Sequence, residues 1–197
     1  VAQHLIAPQL RIAETCIAGL TELLGGYSLI VGAGELHVSQ LWSPWDFVTA
    51  DQQITDEALA ADLVRDVTLS SVGAWASSFN HVVLGLSGGL DSSIVATCLS
   101  RKRIPFSCIT LVTEGATGDE RDYARVVSEF VGAPLFEEFQ DTSHVDIQRS
   151  DASHLPRPIA RSFAQSGDLK SLEVATHVQA DAFFGGGGGD NVFCYLQ

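Results

Sequence analysis

Methionine is absent from the 197 residues, and basic side chains are scarce: 11 lysines and arginines face 24 aspartates and glutamates, a formal net charge of −13. Binding to nucleic acid rests on neutralising phosphates with lysine and arginine, and no basic patch is visible, so no nucleic-acid partner is expected. No run of 18 apolar residues occurs, and no charged segment precedes an apolar one at the N-terminus; neither a membrane-spanning helix nor a secretory signal is expected, and hence no membrane partner. The missing initiator methionine, together with an apolar end from Val192 to Gln197 that reads as the start of a helix, suggests a fragment with further sequence after Gln197.

Cysteine is sparse too. Cys16, Cys98, Cys108 and Cys194 lie far apart, form no CxxC pair and sit mostly in apolar runs. Buried, reduced thiols and a cytoplasmic setting follow. His4, His37, His81, His144, His154 and His177 show no HExxH or CxxH spacing, so none is singled out as a metal ligand. Trp42, Trp45 and Trp75 read as core residues.

What is present is apolar content of 46%, enough for one domain with a core and a small appendage. Leu10 to Leu24 has helical spacing and stops at Gly25-Gly26. Tyr27 to Val31 and Glu35 to Leu41 then read as two short strands around Gly32-Ala33-Gly34. A connector runs from Trp42 to Thr55, with a domain boundary between residues 42 and 55. Asp56 caps a helix whose Leu59, Leu63, Val67, Val72, Trp75 and Phe79 trace one apolar face.

From His81 the pattern becomes βαβαβ. Strands are expected from His81 to Leu86, Phe106 to Val112 and Pro134 to Phe139, with helices over Ser92 to Ser100 and Asp119 to Val131 between them. The stretch from Gln140 to Pro158 reads as a loop, Ser171 to Ala180 as a helix, and Asp181 to Phe184 as a fourth strand. Five glycines, Gly185 to Gly189, follow it; Asp190-Asn191 then opens a helix. The fold class is α/β: a parallel sheet covered by helices on both faces, with a small N-terminal β unit and ligands expected beyond the carboxyl ends of the strands.

The chemistry concentrates in Ser87-Gly88-Gly89-Leu90-Asp91-Ser92-Ser93, between a buried strand and a helix. Consecutive glycines let backbone N–H groups converge on one spot, and the helix start adds hydroxyls and a positive dipole end, so an anion belongs there. Asp91 would repel phosphate unless it holds Mg²⁺ that bridges phosphate oxygens. No Gly-Lys-Ser/Thr follows, so this is not a Walker A loop. The five glycines before Asp190 read either as a linker or as a tight turn facing a ligand; Phe183-Phe184 and Val192-Phe193 anchor both ends in core and favour the turn.

This segment resembles the PP-loop of the ATP-pyrophosphatases, which cleave ATP between the α and β phosphates. Asp119-Glu120-Arg121-Asp122-Tyr123-Ala124-Arg125 with Val131-Gly132 is similar to the D-E-x-x-Y-A-R … L-G helix of the asparagine-synthetase family. Gly186-Gly187-Gly188-Gly189-Asp190-Asn191-Val192-Phe193 resembles its G-E-G-A-D-E-L-F loop. The likeness covers roughly His81 to Gln197. It implies an adenine nucleotide α-hydrolase-like fold and an ATP-dependent ligase that adenylates a carboxylate for attack by an amine. It also implies ATP and Mg²⁺ as cofactors. Nucleotide contacts would come from Leu86, Ser87, Gly88, Gly89, Asp91, Ser92, Ser93, Leu111, Gly185 and Gly186, with Leu86 and Leu111 bracketing the adenine, and the metal ligands would be Asp91 and Asp190. The Asp119 to Arg125 helix would position rather than catalyse.

On the same resemblance, residues 1–55 would be the remnant of a glutaminase-like β region plus linker, and 56–197 a synthetase domain truncated at its C-terminus, whose catalytic Lys and acid lie downstream. The family's Glu is replaced by Gly187 and its following acid by Asn191, and no N-terminal Cys is present to hydrolyse glutamine. These departures, with Trp42-Ser43-Pro44-Trp45 and His154-Leu155-Pro156-Arg157-Pro158, look like the lasso-peptide cyclases, which join an Asp or Glu side chain to a peptide's own N-terminal amine. A precursor peptide would then be the substrate and a leader-peptide-processing protease a partner. Two other readings stay open: asparagine synthesis from aspartate, and a nucleotide-binding module without turnover.

Overall fold

The structure is a computed structural model in which residues 2, 6–7, 10–112, 119–148, 155–156 and 164–189 are described. The chain divides into two compact units, Val1–Ala60 with Asp146–Ser162, and Ala61–Val145 with Phe163–Gln197.

In the first unit, β1 (Tyr27–Gly32) and β2 (Glu35–Gln40) form an antiparallel hairpin with Gly32 opposite Glu35. Its two turn residues, Ala33 and Gly34, have φ of 45° and 88°. Positive φ at both central positions matches the turn to the strands' right-handed twist. The helix expected from Leu10 to Leu24 does not form: Glu14 makes an isolated antiparallel bridge to Thr21. The Thr15 hydroxyl donates to the Leu20 carbonyl (2.7 Å) and accepts from the Ile17 N–H (3.1 Å), while Gly19 turns the chain at φ 77°. A side chain that satisfies the local backbone competes with the helical ladder, and helical spacing cannot reveal that competition.

The helix α1 (Glu57–Ala76) starts where Asp56 caps it, its Oδ1 accepting from the N–H groups of Ala58 and Leu59. Its packing differs from the expected stripe: Leu59, Leu63, Val67 and Trp75 are exposed, and the helix packs through Val72, Gly73, Ala76 and the following Phe79. A 20-residue helix is about 30 Å long and a four-residue strand about 13 Å, so only its last turns have sheet beneath them.

The second unit holds β3 (Val82–Gly85), α2 (Leu90–Arg101), β4 (Phe106–Val112), α3 (Arg121–Val131), β5 (Leu135–Phe139), α4 (Gln165–His177) and β6 (Ala182–Phe184). The four strands are parallel in the order β5-β4-β3-β6, with Val82 opposite Phe106 on one side and Ala182 on the other. From β3 the chain winds outward to β5, then returns to place β6 on β3's other side, which puts a topological switch point between β3 and β6.

Alternation along β3 divides the core. Val82 and Leu84 pack with Ala76, Ala96, Leu99 and Ala124 on one face, whereas Val83 joins Ile109, Val174 and Ala175 on the other. Helices α1, α2 and α3 thus cover one face and α4 the other. Cys98 and Cys108 are buried free thiols, and burial pushes the Cys108 thiol up to about 12. Cys16 is half-buried, and Cys194 lies outside the described residues.

At the amino ends of the strands the Asp181 carboxylate accepts from the N–H groups of Asn80 and His81 (3.1 and 3.2 Å), tying β6 to β3. Helix α4 begins six residues before its expected start. Its first turn is Gln165-Ser166-Gly167, a helix-poor run that is buried nonetheless, so packing overrides propensity there.

Candidate functional site

A cleft of about 800 Å³ lies at the carboxyl ends of β3 and β4 and beside the turn after β6. Leu86 continues the sheet one residue beyond β3, its N–H donating to the Ile109 carbonyl (2.8 Å). The chain then turns through Gly88, at φ 78°, and reaches Gly89, the N-cap of α2. No side chain caps α2. Its first N–H groups are therefore left for another acceptor, at the positive end of the helix dipole.

The serines brace this loop from within. Ser87 Oγ lies 3.1 Å from Ser92 Oγ and accepts from the Gly89 N–H at 3.1 Å; the Ser87 N–H donates to Ser92 Oγ at 3.3 Å. Ser93 Oγ donates to the Gly89 carbonyl at 2.7 Å.

Two neighbours press on the loop, and glycine makes both approaches possible. A Cβ on Gly88 would stand 2.6 Å from the carbonyl carbon of Tyr123 and 2.8 Å from the Ala124 nitrogen, so the start of α3 lies directly behind the loop. A Cβ on Gly186 would stand 2.8 Å from Ser92 Cα, and one on Gly189 would overlap the Asp91 carboxylate. Of the glycines after β6, Gly186 and Gly189 therefore lie tight against the first turn of α2, while Gly185, Gly187 and Gly188 have nothing within 4 Å.

Helix α3 is itself fixed to β5. Arg125 makes a bidentate pair with Glu137 (2.6 and 2.7 Å) and contacts Asp122 at 2.9 Å. The Arg121 guanidinium lies 5.4 Å from the centre of the Phe139 ring and holds Asp119 by hydrogen bonds that pull this carboxyl down to about 2. The helix behind Gly88 is thus held by charge pairs at its outer face.

Of the residues expected at the site, Leu86, Ser87, Gly89, Asp91, Ser92, Leu111 and Gly186 line the cleft together. Gly88, in the loop, and Ser93, in the first turn of α2, do not line the cleft, and neither does Gly185. Asp190 lies outside the described residues, as do Asn191 and the helix expected to follow. Val64, Ile94, Thr110, Glu120 and Ser171 also line the cleft and were not singled out as ligand contacts. Glu120 stood within the D-E motif; its side chain makes no cap bond to α3 although it holds the N-cap position. Nothing near Ser171 in sequence marks it.

Among the described residues, no three His, Cys, Asp or Glu side chains are grouped to hold a metal by themselves. No described helix is long and apolar enough to cross a membrane.

No curated protein matches the chain. A solved structure described as NMN synthetase from Francisella tularensis aligns with 58% of the chain and 50% of its own, at 16% identity and a TM-score of 0.42. The chain thus spans about half the length of that protein. The family model described as asparagine synthase matches residues 63–196, a span that takes in the loop after β3, the helix behind it and the glycine turn after β6, and the chain belongs to the asparagine synthase family.

Proposed function

We propose that the chain is the nucleotide-handling domain of an ATP-dependent carbon–nitrogen ligase, which adenylates a carboxylate, releasing pyrophosphate, for attack by an amine. The observation that carries this reading is the meeting of two glycine-rich turns at one uncapped helix start, with Gly186 against Ser92 and Gly189 against the Asp91 carboxylate. Phosphates fit the free N–H groups at the start of α2, and the apolar side chains of Leu86 and Leu111 suit an adenine ring.

Mg²⁺ fits this donor set. A nucleotide-bound Mg²⁺ needs only one or two carboxylates, and Gly189, by lacking a Cβ, lets the Asp91 carboxylate sit directly beneath the glycine turn. Asp91 would hold the ion with Asp190, and the ion would supply charge neutralisation to the leaving pyrophosphate.

Gly187 lines the cleft where the family carries Glu, which supports a carboxylate larger than free aspartate. The reading is macrolactam formation in a lasso-type peptide: a precursor peptide is the substrate, and a leader-peptide-processing protease works beside it in the cytoplasm. The test is product analysis with ATP, Mg²⁺ and either a precursor peptide or aspartate with ammonia. AMP and pyrophosphate with a peptide that loses one water support the reading. ADP and phosphate would refute adenylation, and turnover with aspartate and ammonia but not with the peptide would replace the peptide by asparagine synthesis.

A further inference from the structure

Helix α4 borders the cleft, yet neither the phosphate loop nor the glycine turn involves it. Gly167, in its first turn, is buried against the ends of two side chains: a Cβ there would stand 2.9 Å from Leu111 Cδ1 and 2.7 Å from Gln140 Nε2. Leu111 and Ser171 both line the cleft. Ser171 follows Gly167 by four residues and so shares its face of the helix.

We propose that α4 is the nucleoside-end wall of the cleft, in which Gly167 sets how far Leu111 reaches into the cavity and the Ser171 hydroxyl contacts the base or ribose. The inference rests on the cleft being an ATP site. Leu111 has Gly167 on one side and the cavity on the other. Bulk added at residue 167 therefore drives the leucine toward the space that the base would occupy. A serine hydroxyl can both donate and accept, which suits the mixed polar edge of a nucleoside. The phosphate contacts, by contrast, belong to the start of α2 and the turn after β6, where α4 contributes no residue.

This division of labour gives the test. The 197-residue chain, wild type, Gly167→Ala and Ser171→Ala, is titrated by calorimetry with ATP·Mg²⁺ and separately with tripolyphosphate·Mg²⁺, and each protein's melting temperature is recorded. Gly167→Ala is expected to weaken ATP about tenfold, the order expected of overpacking. Ser171→Ala is expected to weaken it roughly fivefold, the order of one lost hydrogen bond. Both variants should bind tripolyphosphate as the wild type does.

Stability separates this from a merely structural role, because the atoms that a Cβ at residue 167 would meet are the far ends of flexible side chains that can give way, so Gly167→Ala should keep a melting temperature near that of the wild type. Variants that bind ATP as tightly as the wild type, or that lose ATP and tripolyphosphate in parallel, would overturn the assignment of α4 while leaving the ATP site standing. If Gly167→Ala does not fold, Ser171→Ala carries the same comparison. A wild-type chain that binds neither ligand would overturn the nucleotide reading itself and this inference with it.

Discussion

Gly186, in the turn after β6, lies against the backbone of Ser92, in the first turn of α2: a Cβ on the glycine would stand 2.8 Å from Ser92 Cα and 2.9 Å from the Asp91 carbonyl carbon. Two segments 94 positions apart in sequence thus meet through bare backbone. Backbone cannot swing aside as a side chain can, so Gly186→Ala is expected to destabilise by about 1–3 kcal/mol, the range for overpacking. Gly185 has nothing within 4 Å, and Gly185→Ala should stay within about 0.5 kcal/mol of wild type. Urea denaturation of the two variants checks the contrast; equal stabilities would mean that the five glycines act as a linker.

Gly88 meets two constraints at once, a φ of 78° and the backbone of Tyr123 and Ala124 behind it. The left-handed conformation alone costs a non-glycine residue about 1–2 kcal/mol, and the overlap adds to that. Gly88→Ala should therefore lower the midpoint of urea unfolding and weaken ATP binding together, because the loop can relieve the contact only by moving off α3. A variant with wild-type stability would mean that α3 does not brace the loop.

Among the described residues, Asp91 is the carboxylate at the start of α2 beneath the glycine turn. If its role is to hold Mg²⁺ on the nucleotide, Asp91→Ala should remove most of the gain in ATP affinity that Mg²⁺ gives the wild type. Without Mg²⁺ the variant should bind ATP at least as well, since a negative charge near the phosphates has gone. Calorimetry at zero and saturating Mg²⁺ measures both; a variant with an undiminished Mg²⁺ effect rules the role out.

The Asp119–Arg121 pair makes a pH-dependent contribution with a definite sign. Hydrogen bonds from Arg121 lower the Asp119 pKa to about 2, from an ordinary value of 3.8. A carboxyl whose folded pKa is depressed stabilises the fold above its unfolded pKa and loses that contribution as pH falls through the folded value. The advantage of wild type over Asp119→Asn should therefore be constant above about pH 5, shrink as pH falls through about 4 to 2, and be gone by about pH 1. Thermal unfolding of both proteins across that range tests it, and an advantage that persists undiminished at about pH 1 would assign it to packing.

The sequence by itself determined the parallel α/β framework. Apolar runs such as Phe106 to Val112 are too continuous for a half-exposed strand, and that strand lies where it was expected. The sequence also determined the turn from Ser87 to Gly89 into the start of α2, because glycine pairs between a buried strand and a helix leave few other conformations. Local patterning failed where a side chain or a tertiary neighbour decided the outcome. Thr15 turned helical spacing at Leu10 to Leu24 into a bonded loop. The buried turn at Gln165 to Gly167 became helical against its propensity because it packs beside Leu111 and Gln140. That two glycine runs far apart in sequence would meet at Ser92 and Asp91, and that Ser171 would share their cleft, was decided only by tertiary structure. Strand order sets which carboxyl ends become neighbours, and it is fixed by sheet pairing and helix burial over the whole chain, which no short motif encodes.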